Sequence, residues 1–235
     1  MTPLRELPED EARRIVGLVF DLDDTFLSHG ALTLEAYQAL CALSAAGFVL
    51  VAATGRPAAW GEVLVRQWPV RAVVSENGAV AAVREGRGVS RIDGVAPAER
   101  RARRVRLGRL AVDVQQIVPE ARLTDDVDGR LTDLTWDIGE RVALPADRIA
   151  LLEAEVRRAG ARVFRSSVHL HATFDEADKA AGVLALLEAD GIPRADASVS
   201  FAFAGDSGND ASCFAAFATT FGVANVAPHL AAFSK

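Results

Sequence analysis

Ile15-Val16-Gly17-Leu18-Val19-Phe20-Asp21-Leu22-Asp23-Asp24-Thr25 decides the fold. The apolar run Ile15–Phe20 reads as a buried strand of a parallel sheet. It ends in three carboxylates within four residues: Asp21, Asp23 and Asp24. In open α/β sheets, ligands bind beyond the carboxyl ends of the strands. Carboxylates crowded there repel one another unless a cation holds them. The cation suited to an all-oxygen set is Mg²⁺. The plain alternative is an acidic turn that closes a strand, since Asp is a common turn residue.

Outward from this strand, helical and extended patterns alternate. A helix is expected over Leu34–Ala45, a strand over Phe48–Ala53, a helix over Pro57–Gln67 and a strand over Val70–Ser75. This βαβαβ order predicts a parallel sheet wrapped by helices. The pattern then changes. Ala79–Val83 and Val89–Ile92 flank the polar turn Arg84–Gly88 and predict a hairpin. A long helix over Ala98–Val118, a strand over Leu131–Ile138, a helix over Asp147–Ala159 and strands over Arg162–Arg165 and Val168–Phe174 follow. The alternation then resumes: helix Lys179–Asp190, strand Ser198–Ala204, helix Asp210–Phe217 and strand Thr219–Val223. The expected architecture is α/β: a Rossmann-like parallel-sheet core, residues 1–83 and 174–235, interrupted by an inserted α+β cap, residues 84–173.

Composition narrows the function classes. A chain of 235 residues, 50% hydrophobic, has enough apolar surface for a full core. A net charge of -6 opposes general nucleic-acid binding. Charged residues interrupt every hydrophobic run, so no membrane span is expected. The N-terminal segment Met1–Arg14 is charged and unlike a signal peptide. Cys41 and Cys213 share no motif spacing; both read as reduced core residues of a cytoplasmic protein. Lysine occurs only at Lys179 and Lys235, while arginine supplies every other basic residue. An internal lysine in so arginine-rich a chain suggests a need for a compact ammonium.

Four segments converge on one sheet edge if the sheet is parallel. They are Asp21–Thr25, Thr54-Gly55-Arg56-Pro57 after the second strand, Asp178-Lys179 at a helix start, and Gly205-Asp206-Ser207-Gly208-Asn209-Asp210 after a late strand. Singly, each has a bland counterpart: a capped turn, a polar or weakly Ca²⁺-like loop, an N-cap with a solvated lysine. Together, in this order, they resemble the haloacid dehalogenase superfamily of phosphohydrolases across the whole core.

That resemblance implies roles. Asp21 would be the nucleophile that forms an aspartyl-phosphate, and Asp23 the general acid/base. Asp206 would complete a Mg²⁺ site with Asp21 and the Asp23 carbonyl. Thr54 and Lys179 would hold the phosphoryl oxygens, with Gly55 and Arg56 beside them. Asn209 and Asp210 would support metal and substrate, Asp210 as a further metal-site carboxylate. An acid at Asp23 favours a phosphatase or phosphomutase over the superfamily's dehalogenases and ion pumps, which lack one there. The chemistry agrees: phosphoryl transfer needs charge compensation, which Lys179 and Mg²⁺ supply.

The insert lies between the second and third segments, as in subfamily IIB, with Ser75-Glu76-Asn77-Gly78-Ala79 similar to the lead into such a cap. Arg130–Glu140 and Ser166–His171 are similar to segments of the trehalose-, sucrose- and mannosylglycerate-phosphate phosphatases. Asp137, Glu140, Ser167 and His169 are candidates for sugar hydroxyl contacts, and Trp136 for ring stacking, against surface carboxylates and a cap-core tryptophan. His169 and His171 share a strand face, but a metal pair lacks a third ligand of suitable spacing. His29 follows the nucleophile segment and is a minor candidate facing the cap. Arg100–Arg106 is a basic run; a nucleic-acid patch is one reading, but the acidic balance of the chain favours a solvated cap helix or loop, with attraction of anionic substrates to the cleft as an intermediate reading. Relatives continue past the last strand with another strand and helix, whereas this sequence stops at Lys235. The expected partner is a small phosphate ester, a sugar phosphate. The alternatives are a phosphomutase and a sugar-phosphate-binding protein without turnover.

Overall fold

The computed structural model describes residues 3–166 and 168–229. A short helix α1 (Glu9–Ala12) precedes strand β1 (Gly17–Phe20). Then come α2 (Leu34–Ala45), β2 (Val49–Ala53), α3 (Ala58–Gln67), β3 (Ala72–Ser75) and the hairpin β4 (Val80–Glu85) and β5 (Gly88–Asp93). The middle of the chain forms α4 (Pro97–Ile117), β6 (Arg122–Leu123), β7 (Asp133–Asp137), α5 (Ala146–Arg158), β8 (Arg162–Arg165) and β9 (His169–Thr173). It returns as α6 (Lys179–Ala189), α7 (Arg194–Ser200), β10 (Phe201–Gly205), α8 (Ala211–Ala216) and β11 (Thr219–Gly222).

A seven-stranded sheet has the order β11-β10-β1-β2-β3-β4-β5, and a four-stranded antiparallel sheet the order β6-β7-β9-β8. Strands β11, β10, β1, β2 and β3 run parallel, and β4 and β5 are antiparallel additions. Strand β1 lies between β2 and β10, so the loops after β1 and β10 leave from the switch in strand order, where a crevice forms. The register aligns their tips: Phe20 pairs with both Ala52 and Ala204.

Alternation along the strands builds the two faces. Val19, Val51, Val74 and Phe203 meet α6, α7 and α8 through Val183, Leu187, Ala197 and Cys213. Phe20, Leu50, Ala52 and Val73 meet α2 and α3 through Leu40, Leu64 and Val65. The four-stranded sheet has a separate core: Leu134, Trp136, Leu170 and Ala172 pack on Leu107 and Leu110 of α4 and Leu152 and Val156 of α5.

Three sequence expectations are corrected. The hairpin at residues 79–92 joins the seven-stranded sheet, so that sheet reaches Asp93 and the chain leaves it ten residues later than residue 83. The apolar pairing of Ala81 and Val83 with the core explains this, since both side chains are buried there. The strand expected from Ser198 begins at Phe201. Pro193 opens α7 instead, and the Ser198 and Ser200 hydroxyls donate back to Ala195 O and Asp196 O. Cys213 is buried, but Cys41, on α2 beside the buried Leu40, is exposed. Among the described residues, no helix is long and apolar enough to cross a membrane.

Candidate active site

The site is assembled from strand tips. Asp21 is the first residue beyond β1, and its N–H donates to Ala204 O at 2.9 Å, tying it to β10. Asp206 is the first residue beyond β10. Thr54 is the first beyond β2, and its N–H donates to Val74 O at 2.8 Å. Helix α6 contributes its first residue, Lys179. Asp178 caps that helix by accepting from Ala181 N–H at 2.9 Å. The cap therefore coexists with a lysine that is not solvated: Lys179 is 1% exposed.

Glycines set how closely α6 approaches. A Cβ on Gly78, at φ 104°, would lie 2.0 Å from Asp178 O, and one on Gly182 would lie 2.3 Å from Gly78 O. Only glycine fits this backbone-on-backbone contact. It brings the start of α6 against the Glu76–Gly78 turn and carries Lys179 under the strand tips.

Lys179 Nζ donates to Asp21 Oδ1 at 2.5 Å and to Asp210 Oδ1 at 2.7 Å. The other Asp210 oxygen accepts from the N–H groups of Asp206 (3.0 Å) and Ser207 (3.2 Å), which fixes the loop after β10. Asp206 is held by Thr25 Oγ1 at 3.2 Å and Asn225 Nδ2 at 2.7 Å. Oxygens of Asp21, Asp206 and Asp210 all lie within 4.8 Å of one another.

One ammonium thus serves two buried carboxylates, with a third alongside. Burial pushes Asp21 up to about 7, with Asp210 adding to the shift and Lys179 opposing it. Burial and Asp210 likewise raise Asp206. The Lys179 pKa is raised although burial opposes this, because Asp21 and Asp210 favour the charged ammonium. Excess negative charge among oxygen-only donors fits a small hard cation such as Mg²⁺.

Asp23 stands apart from that cluster. Its carboxylate pairs with Arg56, with Nε at 3.1 and 3.0 Å and Nη2 at 2.5 Å. The Arg56 guanidinium also lies 4.0 Å from the Trp60 ring centroid. Thr54 is fully buried and its hydroxyl oxygen accepts from Arg56 N–H at 3.1 Å. Gly55 lies against Asn77: a Cβ there would be 3.2 Å from Asn77 Oδ1. Asn209 stays within its own loop, accepting from Ser207 Oγ at 2.6 Å.

Residues 18–92 match the family model of the haloacid dehalogenase-like hydrolases. The match spans β1 to β5 and the segments that carry Asp21 and Thr54. No curated protein gives a match. Similar solved structures span nearly the whole chain. One is a Thermoplasma acidophilum protein, with a TM-score of 0.71 and 16% identity, covering 94% of this chain and 90% of that one. A haloacid dehalogenase-like hydrolase from Bacteroides thetaiotaomicron has a TM-score of 0.66 and 20% identity, covering 90% and 89%. A sucrose-phosphatase from Synechocystis sp. PCC6803, in complex with sucrose and phosphate, has a TM-score of 0.62 and 18% identity, covering 93% and 86%. These structures share the fold over nearly the whole of this chain.

The insert corrects several sequence expectations. Trp136 is buried in the insert's own core and offers no ring platform. Asp137 is buried too. Its carboxylate accepts the N–H groups of Gly139, Glu140, Arg141 and Val142, at 2.8 to 3.2 Å, so it closes a loop and does not reach outward. Burial opposes ionisation of Asp137, but those four donors overcome it and lower its pKa. Asp137→Ala is expected to destabilise the protein by about 1–3 kcal/mol, because the loop N–H groups lose their acceptor. A lowered folded pKa means that this stability is present above the unfolded value of 3.8 and lost as pH falls through the folded pKa. Urea midpoints at pH 7 and pH 3 check both, and equal effects at the two pH values would contradict the account.

Glu140 and His169 pair with each other at 2.9 Å, and among the described residues no hydrogen bond links them to the catalytic loops. Ser167 lies outside the described residues. His171 is buried, with Nδ1 on Thr135 Oγ1 (2.8 Å) and Asp133 (3.1 Å), so it is a packed network residue and not half of a metal pair. His29 lines an open cleft of about 570 Å³ with Asp24, Ser28, Thr33 and the two residues that hold Asp206, Thr25 and Asn225. The basic run is not a free positive face. Arg100 is buried on Asp93 and Asp175, Arg103 reaches Asp175, and Arg106 sits 3.6 Å from the Phe174 ring centroid. Residues three apart share a helix face, and here that face grips both chain segments that join insert to core.

Sequence reasoning missed four supports: Thr25 and Asn225 on Asp206, and Glu76 and Arg130 at the junction with the insert. Asn225 follows the last strand as Asp210 follows its neighbour, a parallel that offered the one available signal.

Proposed function

We propose that the chain is a phosphomonoesterase of the subfamily IIB type, acting on a small sugar phosphate through Asp21, with Mg²⁺ as cofactor and the insert as a substrate-facing cap. The observation that carries the reading is the buried Lys179 ammonium shared by Asp21 and Asp210, with Asp206 beside them. A binding protein has no need to bury three carboxylates around one cation at a strand switch. The sucrose-phosphatase relative supports a phosphorylated sugar.

Asp21, Asp206 and Asp210 would hold the ion, which when bound offsets negative charge on the transferring group. The remaining chemistry belongs to the chain. An Asp21 oxygen attacks phosphorus as the ester oxygen leaves, giving an acyl phosphate and an alcohol. Asp23, half exposed and aimed by Arg56, donates a proton to the leaving oxygen and then takes one from the water that hydrolyses the acyl phosphate. Lys179 neutralises the charge on Asp21 and the phosphoryl oxygens, and the Thr54 hydroxyl donates to one of those oxygens. Two free thiols, one of them exposed on Cys41, suit a reducing cytoplasm.

The test is release of inorganic phosphate from p-nitrophenyl phosphate and from a panel of hexose and disaccharide phosphates, with Mg²⁺ and with excess EDTA. Expected are turnover with Mg²⁺, loss of about a hundredfold or more in EDTA, and preference for a sugar phosphate. An isomerised phosphosugar without free phosphate would convert the assignment to a phosphomutase. Binding without turnover of any ester would refute catalysis.

A further inference from the structure

Every backbone carbonyl of the Thr54–Arg56 loop is held. Thr54 O accepts from Asn77 N–H at 3.1 Å, and Arg56 O from Glu76 N–H at 3.1 Å. Gly55 O accepts from Arg130 Nη1 at 3.0 Å. The first two donors belong to the turn that ends β3. The third belongs to the insert.

Arg130 is 3% exposed and cannot drift. Its Nε and Nη2 donate to the two oxygens of Asp126 at 3.1 Å each, and its Nη1 to Asp133 at 3.1 and 3.2 Å. Asp133 is in turn fixed by His171. A planar guanidinium clamped by two carboxylates delivers its remaining bond in one direction. The Gly55 carbonyl therefore takes its position from the insert.

Next to it, Glu76 forms the seat. Its φ of 51° is left-handed, and so is that of Asn77 at 54°. Non-glycine residues hold such angles only where the surroundings over-determine them. The buried Glu76 carboxylate accepts Ala58 N–H of the core at 2.9 Å. It also accepts three donors of the insert: Leu131 N–H (2.8 Å), Thr132 N–H (2.5 Å) and the Thr132 hydroxyl (2.6 Å). The insert also packs on the start of α3 here, since a Cβ on Gly129 would lie 3.2 Å from the Ala59 Cβ.

We infer that Arg130 is a positioning residue: seated through Glu76, the insert sets the loop that presents Thr54 on one side of Gly55 and Arg56, with its grip on Asp23, on the other. The inserted unit thereby aligns the groups that hold the phosphoryl oxygens and the acid, besides covering them. The kinetic consequence rests on the phosphatase reading; the structural one does not. A shift of well under 1 Å at Gly55 is enough to misplace both neighbours.

The test compares wild type with Arg130→Lys, which keeps the charge but loses the fork, and with Glu76→Gln, which keeps the shape but presents an amide to the donors of the insert. Two readouts are taken below the melting temperature. The first is kcat and KM for p-nitrophenyl phosphate, whose small leaving group needs no contact with the insert. The second is amide hydrogen exchange of Arg56 and Ala58, whose N–H groups rest on Thr54 Oγ1 and Glu76. Expected are a tenfold or larger fall in kcat with KM within about threefold, and tenfold faster exchange at Arg56 and Ala58, while Asp133–Asp137 stays protected. A purely structural role would instead loosen the insert and leave kcat and the loop amides unchanged, and that result overturns the inference. Should wild type hydrolyse no phosphomonoester, the phosphatase reading falls alone, and the exchange of Arg56 and Ala58 still decides the role of Arg130.

Discussion

Asp21→Asn abolishes turnover of p-nitrophenyl phosphate in Mg²⁺, by on the order of 10⁴-fold or more, while the protein stays folded. Asparagine preserves the shape at the tip of β1, but its amide has no lone pair suited to in-line attack on phosphorus. The loss is therefore of kcat and not of fold. Stability moves the other way. Asp21 is buried, shares the Lys179 ammonium with Asp210 and is pushed up to about 7. A folded pKa above the unfolded 3.8 contributes stability that is fully present below the unfolded value and lost as pH rises through about 7. In EDTA the wild type should thus lose stability between about pH 4 and pH 7, and Asp21→Asn should flatten that slope. Chemical denaturation at several pH values checks this alongside the kinetics. A variant that keeps wild-type turnover removes Asp21 as the nucleophile.

How much of this was legible in the sequence depends on what kind of contact each residue makes. The strand tips were legible because apolar runs end abruptly at Asp21, Thr54 and Gly205, and a parallel sheet aligns such ends. Lys179 stood out because arginine fills the other internal basic positions, and the structure buries it as a point charge between two carboxylates. Helices α2 and α5 and strand β8 fell at or within a residue of their expected limits, since capping and periodicity are local signals.

Contacts between distant segments were not legible. Asp137 and Trp136 alternate on one strand in a way that suits a sugar face, yet one side packs on α4 and α5 and the other closes a loop. Periodicity gives the two faces of a strand but not what each face meets. The arginines of α4 read as a charged surface because their partners, Asp93 and Asp175, lie on either side of the insert in sequence. Glu76 and Arg130 lay inside segments read only as the lead into a cap and as part of one; they matter because a left-handed turn and a clamped guanidinium meet the same loop.

Lys179→Met costs both chemistry and stability, and the two losses separate with pH. Methionine matches the length of the lysine stem but leaves Asp21 and Asp210 buried with no cation between them. Removing one partner of a buried ion pair costs about 3–5 kcal/mol, because the surviving charge is uncompensated. Here two charges survive, and the Asp21 carboxyl, already raised by burial, loses the ammonium that opposed the rise. At pH 8 in EDTA, Lys179→Met should therefore unfold at much lower denaturant than wild type, and at pH 5 it should recover most of the gap as the pair takes up a proton. Mg²⁺ added at pH 8 should restore part of the stability by supplying charge among Asp21, Asp206 and Asp210. It should not restore turnover, because the ammonium that offsets charge on the phosphoryl oxygens is gone; a fall of about 10²–10³ in kcat is expected even under stabilising conditions. Lys179→Arg should not rescue either property, since a planar guanidinium does not fit a position that is 1% exposed and shaped for a compact ammonium. Wild-type stability of Lys179→Met at pH 8 in EDTA would mean that the two carboxylates share a proton without help, and would remove Lys179 from the charge balance of the site.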